Sequence, residues 1–523
     1  MNHTSSKSQC IDAKRHITLF YLMQDYLFFW YCCYILVLIG LAGYGFHRLT
    51  IVYLYWKNRK NIPQPKSKFS ELPVVTVQLP MFNEKFVVDR LCESVAELDY
   101  PKDKLEIQIL DDSTDDTTDH CYKKVEELKA RGFDAVCLHR TDRTGFKAGA
   151  LEEATKVAKG EFLLILDADF LPKPDLLQQC IHFFTDESVG LVQTRWGHIN
   201  RHYNLLTRIQ GIFLDGHFAM EQTARNRSGR FFTFNGTAGI WRKCVIGDAG
   251  GWSHDTLTED MDLSYRVQLK GWKFVYLNDV VTPAELPVDM DGFKSQQHRW
   301  TKGSIQVCQK ILIDILRSDA PLKAKMEAFT HLTCNYSYLL LGILCILIYP
   351  ICVHPESIPA SQTALMWYVN AILFFLTCIA VCIFYISAQI VVQPKRWWKE
   401  IIVLPVLLTL SVGMAVNNAK AVLEAVFGHQ SGFVRTPKYG VGDKENRSQV
   451  SKLKKTGYKA IKSIIQPILE IACGTFFLFM IIEVIKQGHY ISPIFMLPFL
   501  GFYYTGFCSI GRMIHNMLPA KKD

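Results

Sequence analysis

At 523 residues the chain exceeds the roughly 100 to 200 residues of a typical domain, so at least two structural units are expected and core size is no constraint. Hydrophobic residues make up 49% and aromatics 12%, dense before Lys57, ordinary from Pro73 to about Arg317 and dense again afterwards, which places a soluble domain between membrane segments. The formal charge of +9 would suit nucleic acid, but the basic residues sit beside apolar runs (Lys57, Arg59, Lys60; Lys395, Arg396; Lys452, Lys454, Lys455; Lys521, Lys522), so the charge reads as membrane topology and nucleic acid is excluded as a partner. The 16 cysteines form no CxxC pair and no zinc-type spacing, and several lie in apolar runs, as reduced thiols facing a cytosol would.

Residues Met1 to His16 are polar, and the apolar run after them is too long for a signal peptide, so it is expected to stay as an anchor. Phe28–Tyr55 is the first of five runs near the roughly 20 apolar residues needed to cross a bilayer. From Pro73 the pattern changes. Short β-rich runs at Val74–Leu79, Glu106–Leu110 and Ala135–Leu138 alternate with helical patterns at Asp89–Glu97 and Asp119–Arg131, and Glu161–Leu166 is a further buried strand. That rhythm predicts a parallel sheet flanked by helices, with ligands at the carboxyl ends of the strands.

Lys294–Leu316 is amphipathic and suits a membrane surface. Further spans are expected at Phe329–Cys352, Ala364–Val391, Pro467–Ile485 and Ile491–Met513. Ile401–Val416 is shorter, carries Pro405 and passes into Asn417, Asn418 and Lys420. With the soluble domain and the basic segment Lys438–Lys462 both in the cytosol, Ile401–Phe427 should lie along the interface or re-enter; a sixth span is the alternative.

Polar residues stand where the strands end. Asp167-Ala168-Asp169 follows an apolar strand and suits a divalent cation that neutralises a departing diphosphate, though alone it could equally be a solvated turn. Asp111-Asp112-Ser113 suits a nucleobase or ribose, or a helix cap, and Asn83 and Glu84 end the first strand. Lys147 opens a helix within a glycine-containing stretch, where it can pair with a diphosphate. Thr258-Glu259-Asp260 precedes the helix Met261–Lys270 and offers either first-turn acids or the base that takes a proton from an attacking hydroxyl. Gln296, Arg299 and Trp300 combine a guanidinium for diphosphate with an indole face for a sugar ring, or serve as an interfacial anchor.

Taken in order, Leu79-Pro-Met-Phe-Asn-Glu84, Asp111-Asp-Ser113, Lys147-Ala-Gly149, Asp167-Ala-Asp169, Phe234-Asn-Gly-Thr-Ala-Gly239, Thr258-Glu-Asp260 and Gln296-x-x-Arg-Trp300 resemble the processive glycosyltransferase family 2 enzymes, which include cellulose, hyaluronan and chitin synthases. Within that group Gly145-Phe-Lys-Ala-Gly-Ala-Leu151, Gln296-Gln-His-Arg-Trp300 and Arg435-Thr-Pro-Lys438 look like the plant cellulose synthase-like A and C branch and its bacterial relatives. The resemblance implies an α/β Rossmann-like glycosyltransferase A domain inserted into an α-helical transmembrane bundle.

It also implies roles. Asp260, Glu259, Asp167 and Asp169 would be catalytic, Asp260 as the base; Asn83, Glu84, Asp111, Asp112, Lys147, Asp167, Gln296, Arg299 and Trp300 would bind the nucleotide-sugar. Phe234, Asn235, Gly236, Thr237 and Trp300 would contact the acceptor, Asp167 and Asp169 would hold Mg²⁺ or Mn²⁺, and Phe433, Thr436 and Lys438 would form a gating loop interrupted by Pro437. The expected layout is an N-terminal segment with one span (1–60), a cytosolic catalytic domain (61–293), an interfacial helix (294–325), transmembrane helices with an interfacial or re-entrant piece (326–427), a cytosolic gating loop (428–464) and C-terminal spans (465–523).

The expected reaction is inverting, processive elongation of a β-linked, β-1,4 in this branch, glucan, mannan or glucomannan from UDP-glucose or GDP-mannose, delivered into or across a bacterial inner membrane or a Golgi membrane. A non-processive enzyme acting on a lipid acceptor, such as ceramide or polyprenyl phosphate, is the alternative, and self-association is left open.

Overall fold

The computed structural model describes residues 3–353, 368–429, 436, 438–442, 464–488 and 496–517. Its soluble part is built on seven strands: β1 (Val75–Met81), β2 (Leu105–Asp111), β3 (Asp134–His139), β4 (Phe162–Ile165), β5 (Val189–His198), β6 (Gly239–Arg242) and β7 (Lys273–Ala284). They lie in the order β3-β2-β1-β4-β6-β5-β7. The expected parallel half is present, with Val77 opposite both Ile107 and Leu164. The other half was not anticipated: β6 runs antiparallel to both β4 and β5, and β7 returns parallel to β5.

Every residue of β2 is buried, as expected of a central strand covered on both faces by helices. Its polar members are therefore matched across the sheet. Thr76 donates to Glu106 at 2.6 Å and Gln78 to Gln108 at 3.1 Å, each opposite its partner in the β1–β2 register. Two apolar layers enclose the sheet. One gathers β1 and β2 with Val88, Leu91, Val95 and Leu177; the other gathers Leu151, Ala154, Trp241, Leu263 and Tyr276.

The long helix Met290–Arg317 leaves the sheet and packs between the soluble domain and the apolar helices. Its Lys294 is buried against Glu470 at 2.6 Å, and its Lys302 against Glu424 at 3.1 Å. It is thus a shelf under the sheet domain, with ion-pair partners for the buried Lys294 and Lys302.

Among the described residues, three helices are long and apolar enough to cross a membrane: Phe29–Asn58, Tyr368–Val392 and Ile465–Lys486. The expected span Phe329–Cys352 is instead a bent pair, Leu322–Thr333 and Tyr336–Tyr349 at 53°. Leu404–Gly413 and Ala415–Val426 meet at 43°, the geometry of a broken span or a re-entrant loop, so the total reaches five if each pair is one span. Of the expected Ile491–Met513 span, the described part is a short 3₁₀ turn, Leu497–Leu500, and a 17-residue helix, Gly501–Met517.

Candidate active site

The carboxyl ends of β1, β2 and β4 open on one cavity, part of it facing solvent, above the helix Met290–Arg317. At its β1–β2 end, Asp112 lines the wall and is held by two hydrogen bonds from Arg140, at 2.8 and 2.6 Å. Asp111, expected to touch the nucleotide, points into the protein. It accepts from Ser113 N–H and the Thr118 hydroxyl and pairs with His139 at 2.7 Å, so it shapes the loop that presents Asp112. Asn83 likewise braces loops: its backbone N–H donates to Ser113 and its side chain accepts from Thr114 N–H, while Glu84 beside it lines the cavity. Arg143, unremarked in sequence beyond its charge, lies 3.3 Å over the Phe82 ring on the same wall.

Deeper in, the chain brings its candidate chemistry together. Gly145, at φ +74°, turns the loop into the helix Phe146–Val157, and the Lys147 ammonium reaches Asp167 and the Gly236 carbonyl, the latter at 2.8 Å. Burial pulls the Lys147 ammonium down, but the carboxylates of Asp167, Glu259 and Asp260 outweigh it and hold the pKa above its ordinary value. Gly236 has φ +80°, and a Cβ there would stand 3.0 Å from Asp260 Oδ2, so this backbone passes close against the acid. Burial, then the neighbouring Glu259 charge, push the Asp260 carboxyl up to about 7; the Met261 N–H, Lys147 and Arg299 act the other way. A carboxyl poised near neutrality in a cleft, with its charge partners named, is the pattern of a general base.

Asp169 lies on the far side of Asp167. It accepts from Glu285 N–H at 3.1 Å and from Lys438 Nζ at 2.7 Å. Glu285, at the end of β7, also takes the N–H groups of Tyr439 and Val441 at 2.9 and 3.1 Å, fastening the segment 438–442 to the sheet. Burial raises the Glu285 pKa, against the pull of Lys438. Thr436 and Lys438 line the cavity as expected; Phe433 lies outside the described residues. Among the described residues no group of three His, Cys, Asp or Glu side chains is arranged to hold a metal. Asp167 and Asp169 therefore fit a hard divalent cation only together with oxygens brought by a diphosphate.

Gln296, Arg299 and Trp300 line the floor, and Trp300 packs with Leu214, Phe218 and Leu286. The expected acceptor contacts divide. Asn235 and Gly236 line the cavity. Phe234 and Thr237 do not: Phe234 is 1% exposed and edge-on to Trp241, and the Thr237 hydroxyl accepts from Asp167 N–H at 2.8 Å. The loop before β6 thus turns Asn235 and Gly236 to the cavity and the flanking Phe234 and Thr237 into the protein. Trp196, His198 and Glu285 complete the walls. They come from the ends of β5 and β7, strands the alternation of apolar runs did not reveal.

Residues 73–303 match the family model described as "Glycosyltransferase like family 2". The chain is 41% identical over 286 residues to Glucomannan 4-beta-mannosyltransferase 2 of Arabidopsis thaliana, covering 52% of this chain and 53% of the relative. It is 43% identical over 259 residues to Glucomannan 4-beta-mannosyltransferase 1 of Oryza sativa subsp. japonica, covering 49% and 50%. The chain thus spans about half the length of these curated relatives that it matches. Among solved structures, a mannosyltransferase from Pyrobaculum calidifontis in complex with GDP-Man and Mn²⁺ shares the fold, with a TM-score of 0.52 at 20% identity over 76% of this chain and 100% of that one. Residues 73–303 therefore resemble a glycosyltransferase domain of the family 2 type, and over about half its length the chain is similar to these plant glucomannan mannosyltransferases.

Proposed function

We propose that the chain is an inverting, processive hexosyltransferase that elongates a β-1,4-linked mannan or glucomannan from GDP-mannose and feeds it toward the apolar helices. The convergence of Asp260, Lys147 and Asp167 on one cavity floored by Trp300 carries this reading. The names of the two plant relatives favour mannose over glucose as the transferred sugar and a polymer over a lipid as acceptor.

In the proposed reaction, the acceptor hydroxyl attacks the anomeric carbon while Asp260 takes its proton, and the nucleoside diphosphate leaves from the opposite face. Lys147 and Arg299 stand where they can meet the charge developing on the diphosphate, in a cavity whose burial strengthens them. Asp167 and Asp169 would hold a divalent cation, which when bound neutralises the leaving diphosphate. Asp112, with Arg140 behind it, would orient the nucleoside.

The test offers GDP-mannose and UDP-glucose separately to purified protein with Mn²⁺ or Mg²⁺. The product is then digested with endo-β-1,4-mannanase or endo-β-1,4-glucanase. Mannanase-sensitive polymer from GDP-mannose is expected; a labelled glycolipid, or glucanase-sensitive polymer from UDP-glucose alone, contradicts the reading.

A further inference from the structure

The cavity has one wall that the reaction above leaves idle. His198, the last residue of β5, lines it beside Trp196, Leu214 and Trp300, with its side chain only 4% exposed. Its Nε2 stands 3.4 Å from Asp215 Oδ1. Asp215 is itself 2% exposed and takes hydrogen bonds from Arg201 at 2.5 Å and from Gln389 at 3.0 Å, the last from the apolar helix Ala380–Val392. Burial alone would push the Asp215 carboxyl up, but Arg201 and His198 bring it down to about 2.

His198 Nε2 makes no well-aligned hydrogen bond, but the charge of a lasting carboxylate 3.4 Å away favours the proton on that nitrogen, which leaves the Nδ1 lone pair as an acceptor. Filling a corner between two tryptophans needs only an apolar side chain. A buried Arg–Asp–Gln network behind an imidazole does more: it fixes the ring's orientation. The wall also lies away from the nucleotide end, where Asp112 and Arg143 stand, and next to the apolar helices, through the contact of Phe213 with Tyr385.

We propose that His198 is an acceptor-contacting residue, whose Nδ1 accepts a hydrogen bond from a hydroxyl of the acceptor sugar seated between Trp196 and Trp300, and that Asp215 is its positioning residue. The inference rests on the glycosyl-transfer reading of the same cavity.

Full-length protein in lipid nanodiscs, given GDP-mannose, Mn²⁺ and increasing β-1,4-manno-oligosaccharide, tests it. His198→Ala should raise the acceptor KM about tenfold while the donor KM stays within about twofold, and His198→Asn, which restores an acceptor atom near the Nδ1 position, should recover most of the loss. Asp215→Asn should shift the acceptor KM in the same direction. An unchanged acceptor KM in His198→Ala overturns the proposal. So does an equal loss on donor and acceptor accompanied by a lower melting temperature, which would assign His198 to the core. Wild-type protein that transfers no mannose defeats the underlying reading instead, whatever His198→Ala does.

Discussion

Asp260 carries two consequences of opposite kind. In its proposed role as base, Asp260, with its carboxyl pushed up to about 7, must be ionised to work, so the rate should fall about tenfold per pH unit as pH drops below that value, a limb that Asp260→Asn abolishes with the rate reduced about 10² to 10⁴-fold. The same upward shift from 3.8 means that the folded protein holds a proton the unfolded chain has released across pH 4 to 7. The ionised carboxylate therefore costs stability, fully so above about pH 7. Asp260→Asn should melt no lower than wild type at pH 8; a lower melting temperature would make Asp260 a structural acid. That Asp260, Lys147, Asp167 and Asp169 line the cavity was legible in sequence, because strand ends and helix starts place such residues at the sheet's open edge. That Asp111 and Thr237 face inward was not, because adjacent residues in a motif can face different ways, and only the backbone path decides which.

At the scale of elements, β7 delivers Glu285, and Glu285 fastens the segment 438–442 over Asp169. Glu285→Gln removes one of its two carboxylate acceptors and should speed amide exchange at Tyr439 and Val441 while the β1 and β2 amides keep their protection; unchanged exchange would show that the segment is held elsewhere. Asn278, Asp279 and Pro283 interrupt the apolar alternation of β7, which is why the strand went unrecognised. The shelf helix is held by a buried pair, Lys294 and Glu470, each 2% exposed or less. Removing one partner leaves a buried charge and costs about 3 to 5 kcal/mol, whereas replacing both with apolar residues is often neutral. Lys294→Met should therefore lower the melting temperature, and Lys294→Met with Glu470→Leu should restore it; no recovery would show that Ser509 and Thr505 need the ammonium.

For the molecule as a whole, apolar length in the sequence located helices long and apolar enough to cross a membrane, but not the breaks at Cys334–Asn335 and Met414. In the proposed function the cavity sits over those helices and the polymer leaves through them. In vesicles with the catalytic domain facing outward, supplied with labelled GDP-mannose and Mn²⁺, label should accumulate in polymer that endo-β-1,4-mannanase reaches only after detergent opens the membrane. Label recovered in solvent-extractable lipid, or in polymer that the mannanase removes before detergent is added, would contradict it.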